Sequence, residues 1–157
     1  LSRCCASGAR HDGGAYVVAG DKGKRTSPRV QRGPREIRSL KGRYRNTEFR
    51  SLLEVRFAQE LEKRQIAWKY EPERIGAGHY LVDFYLPGLK CWVEVKGRFE
   101  PRDDLLLPNV AINLKRDRGE RLFLYMEDEA YLVGSREFKR LTHDEFWAAL
   151  TAPPEDM

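Results

Sequence analysis

The chain has 157 residues, 41% of them hydrophobic, with 29 Lys+Arg against 24 Asp+Glu and a formal net charge of +5 at pH 7. This length suits one domain with a modest core, and the lack of a long apolar run excludes a membrane-spanning helix. The three cysteines, Cys4, Cys5 and Cys91, are too few and too poorly spaced for a disulfide framework or a zinc site, which points to a reducing, intracellular setting.

Charge is unevenly spread. Residues 1–47 hold twelve Lys+Arg against three Asp+Glu, leaving 17 against 21 for the rest. Residues 1–40 are rich in Gly, Arg and Ser and nearly devoid of apolar periodicity, so a disordered basic arm is expected, serving either to attract phosphates or merely to solubilise. The sequence opens on Leu1 rather than Met, and no amphipathic presequence helix is legible in the arm. A folded domain is expected over 41–152, with 153–157 as a tail.

The first predicted helix runs from Phe49 to Arg64, with apolar residues at Phe49, Leu53, Phe57 and Leu61. At about 100° per residue, Glu54 falls within about 20° of Leu61, inside that stripe. An acid there is costly to desolvate unless it meets a metal or another cation, and a boundary salt bridge to an arginine would serve as well.

Two strand-like segments follow. In His79 to Tyr85, Asp83 shares a face with Leu81 and Tyr85, while Tyr80, Val82 and Phe84 point the other way. In Lys90 to Lys96, Trp92, Glu94 and Lys96 share a face, and Cys91, Val93 and Val95 form an apolar opposite face. Pro87-Gly88 between them supplies a turn, so antiparallel pairing that sets Asp83 near Glu94 is expected. One face then looks like core and the other carries chemistry. Two carboxylates and a lysine suit a Mg²⁺ site that activates water and neutralises a scissile phosphate. Alone, the same string also fits a solvated strand face. His79 reads as a loop residue.

Downstream, a helix is expected from Pro108-Asn109 to about Asp117, stopped by Gly119. Leu122 to Met126 reads as a buried strand, Tyr131 to Val133 as another, and Thr142 to Glu145 as a capping box opening a helix from Phe146 to Leu150. Lys115, Arg116, Arg118 and Arg121 form a second basic cluster, either a solvated face or a phosphate-contact surface. The expected fold class is α/β, a mixed central sheet flanked by helices.

Taken in order, Phe49-Arg50-Ser51-Leu52-Leu53-Glu54, Leu61-Glu62, Ile66 to Glu71, Asp83-Phe84-Tyr85-Leu86-Pro87 and Val93-Glu94-Val95-Lys96-Gly97 resemble the phage endonuclease I family. These Holliday-junction-resolving enzymes belong to the PD-(D/E)xK nuclease superfamily, and the likeness covers roughly residues 40–125, with Val82 where the superfamily's name has proline. The resemblance implies a restriction-endonuclease-like core in which Asp83 and Glu94 bind metal, Glu54 helps bind a second ion and Lys96 is the catalytic lysine. It further implies Mg²⁺, replaceable by Mn²⁺, and a homodimer cutting four-way DNA junctions in the cytoplasm of a phage-infected or prophage-bearing bacterium. Phosphate contacts are then expected from Arg43, Arg45, Arg50, Arg98, Arg102, Lys115, Arg116 and Arg118. The alternatives are a site-specific or mismatch-repair endonuclease with the same core, or a catalytically silent nucleic-acid-binding protein.

Overall fold

The computed structural model describes residues 27–30 and 41–153. It opens with a hairpin, β1 (Gly42–Tyr44) and β2 (Thr47–Phe49), that periodicity alone does not reveal. Arg45 and Asn46 both take positive φ, 51° and 60°, which matches the twist a two-residue hairpin turn needs. β1 lies so close to the first helix that a Cβ on Gly42 would stand 2.6 Å from Val55 Cγ2.

That helix, α1 (Leu52–Lys63), is opened by a capping box in which Ser51 and Glu54 each satisfy the other's backbone N–H. Four short strands come next: β3 (Lys69–Tyr70), β4 (Arg74–Ile75), β5 (Tyr80–Leu81) and β6 (Phe84–Leu86). Then follow β7 (Cys91–Val95), α2 (Asp103–Arg118), β8 (Arg121–Tyr125), β9 (Ala130–Val133), β10 (Phe138–Leu141) and α3 (His143–Thr151). Six strands form a mixed sheet in the order β10-β9-β8-β7-β6-β3, parallel only between β7 and β8. A parallel pair needs a crossover, and α2 supplies it.

Both faces of the sheet are covered. On one, Phe57 and Leu61 of α1 and Phe146 and Leu150 of α3 pack on Phe84, Val93, Val95 and Phe123. On the other, Leu107, Val110, Ala111 and Leu114 of α2 pack on Trp92, Leu122 and Leu124, joined by Ile75 and Val82. All five residues of β7 are therefore buried, as expected for a strand in a parallel pair.

Several elements differ from expectation. α2 begins at Asp103, more than a turn before Pro108, because the Asp103 carboxylate accepts the Glu100 N–H at 2.8 Å and fixes the first turn. Pro108 then lies inside the helix, where it removes one backbone hydrogen bond. Gly119, with φ of 63°, ends the helix as expected. His79 to Tyr85 is not one strand. It divides into β5, paired with β4, and β6, paired with β3 and β7, with a bend at Asp83. Val82 consequently buries in the α2-side core and Phe84 in the α1-side core, so the two do not share a face. The capping box at Thr142 opens α3 as the sequence indicates.

Within the stretch expected to be a disordered arm, residues 27–30 lie against the domain, with Pro28 buried and Val30 packed on the α2-side core. The rest of that expectation, and tail residues 154–157, lie outside the described residues. No described helix is long and apolar enough to cross a membrane.

The tight approach at Gly42 makes a stability prediction. Gly42→Val is expected to destabilise the domain by about 1–3 kcal/mol through overpacking against Val55, read as a lower urea midpoint. Gly88→Ala, where an added Cβ meets nothing within 4 Å, should leave the midpoint nearly unchanged.

Candidate active site

The β6–β7 register pairs Phe84 with Val93 and Tyr85 with Trp92, so one step beyond the ladder Asp83 stands opposite Glu94. The face they share is not open. α2 and the β4–β5 hairpin cover it, leaving Asp83 only 6% exposed and Glu94 5%. The expectation of one core face and one chemical face is thus corrected: both faces are core, and the acids sit at the end of the buried sheet. A solvated strand face is ruled out for Glu94.

Each carboxyl is held. Asp83 Oδ2 accepts the Val95 N–H at 2.8 Å, while Glu94 and the Tyr80 hydroxyl lie near enough to it and to each other to perturb one another's ionisation. Glu94 Oε2 is buried, and none of the described residues donates a hydrogen bond to it. Burial first, then the Glu94 and Glu54 charges, raises the Asp83 pKa well above the usual range. Burial likewise pushes Glu94 up to about 7, although the Lys96 charge pulls it down. Two carboxyl groups this close and this buried resist ionising together, which is why both are shifted upward.

Glu54, 3% exposed, is buried as its place in the stripe predicts. Its partner is not a cation. Oε2 accepts from Ser51 N–H at 2.8 Å and Ser51 Oγ at 3.2 Å, and Oε1 accepts the Tyr70 hydroxyl at 3.3 Å. The capping box therefore meets the need that a metal or arginine was expected to meet. The Ser51-x-x-Glu54 pattern ahead of an apolar run was the legible signal for it. Glu54 nonetheless lies within the electrostatic reach of Asp83 and Tyr70. Burial, then the Glu54 charge, raises the Tyr70 pKa; burial, then Glu94, raises that of Tyr80. Both stay neutral hydroxyl donors at physiological pH.

Further residues join the site that sequence reasoning missed. Glu71, whose N–H donates to the Asp83 carbonyl at 2.8 Å, pairs with Arg50 at 3.0 Å; its pKa is raised, chiefly by burial. Asp103, from the first turn of α2, pairs with Lys96 Nζ at 3.3 Å and adds its charge to the field on Glu94. These acids act on one another in turn, Glu54 on Glu71 and Asp83, Glu94 on Asp83, and Asp103 on Glu94, with Arg50 paired to Glu71 and Lys96 to Asp103. No motif flagged Asp103, because it is the crossover helix that brings it back to the strand end.

The expected phosphate contacts scatter. Arg50, Arg98 and Arg102 flank the site in the chain, Arg102 paired with Glu100. Arg43 and Arg45 lie on the β1–β2 hairpin, with Arg45 paired to Glu62. Lys115, Arg116 and Arg118 occupy the last turn of α2, far from Lys96, since 16 residues of helix span about 24 Å. Arg116 pairs with Asp117, and Arg118 with Glu73 on the β3–β4 connection. His79 is an exposed turn residue, and His143 stacks on Tyr125 and bonds the Met126 carbonyl.

Among the described residues, no three His, Cys, Asp or Glu groups are gathered as a ready metal-ligand set. Glu54 is held back by Ser51, which leaves the Asp83–Glu94 pair as the donor set. Compared with known protein families, curated proteins and solved structures, the chain matches none.

The raised Glu94 pKa fixes a pH dependence. The folded protein holds a proton that the unfolded chain releases near 4.5, so this contribution to stability is complete below about 4.5 and lost as pH rises through about 7. Without added metal, Glu94→Gln should raise stability at pH 8 by about 1–3 kcal/mol and change it little at pH 4.5. Urea titrations of both proteins at the two pH values check this.

Proposed function

We propose that the protein is a metal-dependent endodeoxyribonuclease with a PD-(D/E)xK-type core that cuts branched DNA. The observation carrying this is the buried Asp83–Glu94 pair beside Lys96, with Glu94 Oε2 lacking a hydrogen-bond partner among the described residues. Asp83 and Glu94 would hold a cation whose charge offsets the penalty of ionising both buried carboxyls. Magnesium is commonly held by only one or two carboxylates, with water and substrate phosphate completing its shell, so the two-acid donor set fits. Asp83 and Glu94 would hold it, Glu54 would add negative field, and Mn²⁺ would serve in its place. The bound ion would supply neutralisation of the scissile phosphate and a lowered pKa for water.

The chain's own groups do the rest. Val95 N–H holds Asp83 in place, and burial confines Glu94 beside it, which reduces reorganisation at the moment of reaction. Lys96 Nζ, on the same side as Glu94, can donate to a phosphate oxygen or orient the attacking water. Water oxygen bonds phosphorus as one ester P–O bond breaks, leaving a phosphate monoester and a hydroxyl. Arg50, Arg98 and Arg102 are the arginines flanking this site and are assigned the nearest backbone contacts; the α2 C-terminal cluster is not. Branched DNA as substrate rests on the ordered motif likeness to phage endonuclease I and on recognition through phosphates rather than base edges. Two symmetric cuts in a junction require two sites, so a homodimer accompanies this function.

The test is an immobile four-way junction beside a matched linear duplex, each with Mg²⁺ or EDTA. Junction cleavage dependent on Mg²⁺ is expected, and sequence-dependent cutting of the duplex would favour a site-specific enzyme. Asp83→Asn and Glu94→Gln should each abolish cleavage yet bind the junction within about threefold of wild type, since each removes a ligand charge without changing shape. Lys96→Ala should slow single-turnover cleavage by about 10²–10⁴-fold with smaller effects on Mg²⁺ half-saturation. Retained turnover in Asp83→Asn or Glu94→Gln would overturn the metal assignment.

A further inference from the structure

Asp103 is 1% exposed and belongs to none of the motifs that suggest the reaction. Its two oxygens have distinct work. Oδ2 accepts the Glu100 N–H at 2.8 Å, which locks the carboxylate's orientation, and Oδ1 faces Lys96 Nζ at 3.3 Å. The Lys96 side chain is itself only 18% exposed. A lysine ammonium on its flexible four-carbon stem has many rotamers and no preferred direction of its own. One contact with a rigid carboxylate removes much of that freedom before substrate arrives, while leaving two N–H donors that Asp103 does not use.

We propose that Asp103 is the positioning residue for Lys96, holding the ammonium beside Glu94 so that its remaining donors meet the phosphate or the attacking water. This rests on the nuclease function proposed above. Asp103 acts through Lys96 and needs no contact with DNA or metal. A rival role, as a further metal ligand, conflicts with a carboxylate already engaged at both oxygens, and the test separates the two.

The experiment uses full-length protein with Asp103→Asn, Asp103→Ser, Lys96→Ala and the Lys96→Ala/Asp103→Asn double variant. Asparagine keeps an acceptor for Glu100 while losing the charge; serine also caps but is too short to reach Lys96. Thermal unfolding establishes that each is folded, and the two Asp103 variants guard against one failing. By ¹H–¹⁵N NMR of lysine ammonium groups, the Lys96 signal should be slowed in exchange in wild type and lost in both Asp103 variants. Single-turnover junction cleavage should fall about 10- to 100-fold, the scale of a misplaced catalytic group, with junction Kd and Mg²⁺ half-saturation within about twofold. The double variant should cleave no more slowly than Lys96→Ala alone.

Unchanged cleavage in Asp103→Asn, a fully additive double variant, or an unaltered Lys96 signal would each overturn the proposal. A large rise in Mg²⁺ half-saturation would make Asp103 a ligand instead. If wild type cleaves neither DNA, the nuclease function falls and this inference with it, whereas a fully active Asp103→Asn removes the inference alone.

Discussion

Two carboxylates facing each other where water is largely excluded cannot both carry charge without a counter-ion, and the site turns on that constraint. Asp83 and Glu94 meet because a short hairpin puts them opposite each other, and they are buried because the sheet is covered on both faces. Each neighbour relates to the same problem. Val95 donates a hydrogen bond to Asp83, the Tyr80 hydroxyl sits beside Glu94, Lys96 offers charge from one side, and Glu54 intensifies the demand from another. One oxygen, Glu94 Oε2, is still left without a partner among the described residues. The fold stabilises an arrangement that is locally unfavourable.

Much of this was legible in the residues. Alternation in Cys91 to Val95, a turn at Pro87-Gly88 and an acid in the helical stripe locate β7, the hairpin and the burial of Glu54. What stayed hidden depends on tertiary placement. A period of two cannot distinguish a strand open on one face from one covered on both, so the Trp92–Glu94 face passed for a surface. The bend at Asp83 was invisible because Tyr80 to Phe84 alternates well enough for one strand although two sheets share it. Asp103 had no periodic signal, and Pro108 concealed the start of α2 since proline usually marks a helix's first turn.

Charge was the least transferable property. A basic run reads as a surface for phosphates, yet Arg116 and Arg118 pair with Asp117 and Glu73 at the end of α2 away from Lys96. Arg45 likewise turns to Glu62. Exposed pairs of this kind contribute little to stability and exchange readily, so sequence clusters say less about a binding face than the helix on which they ride. The acids behave differently. Burial fixes them in place, and buried charge is what sequence position and backbone geometry together determine.

The split origin of the site suggests a hypothesis about folding. Asp83 and Glu94 come together through a local hairpin, whereas the parallel ladder that aligns Cys91 with Arg121 must wait for α2 to cross. Local pairing generally precedes closure of such distant contacts. The carboxylates would then meet in water, ionised at their ordinary pKa values, and be sealed in only when α2 docks. Near neutral pH that docking step should draw a proton from solvent. Stopped-flow refolding in weak buffer with an indicator dye would register the uptake in the slow phase; uptake in the fastest phase would mean that the hairpin and its cover form together.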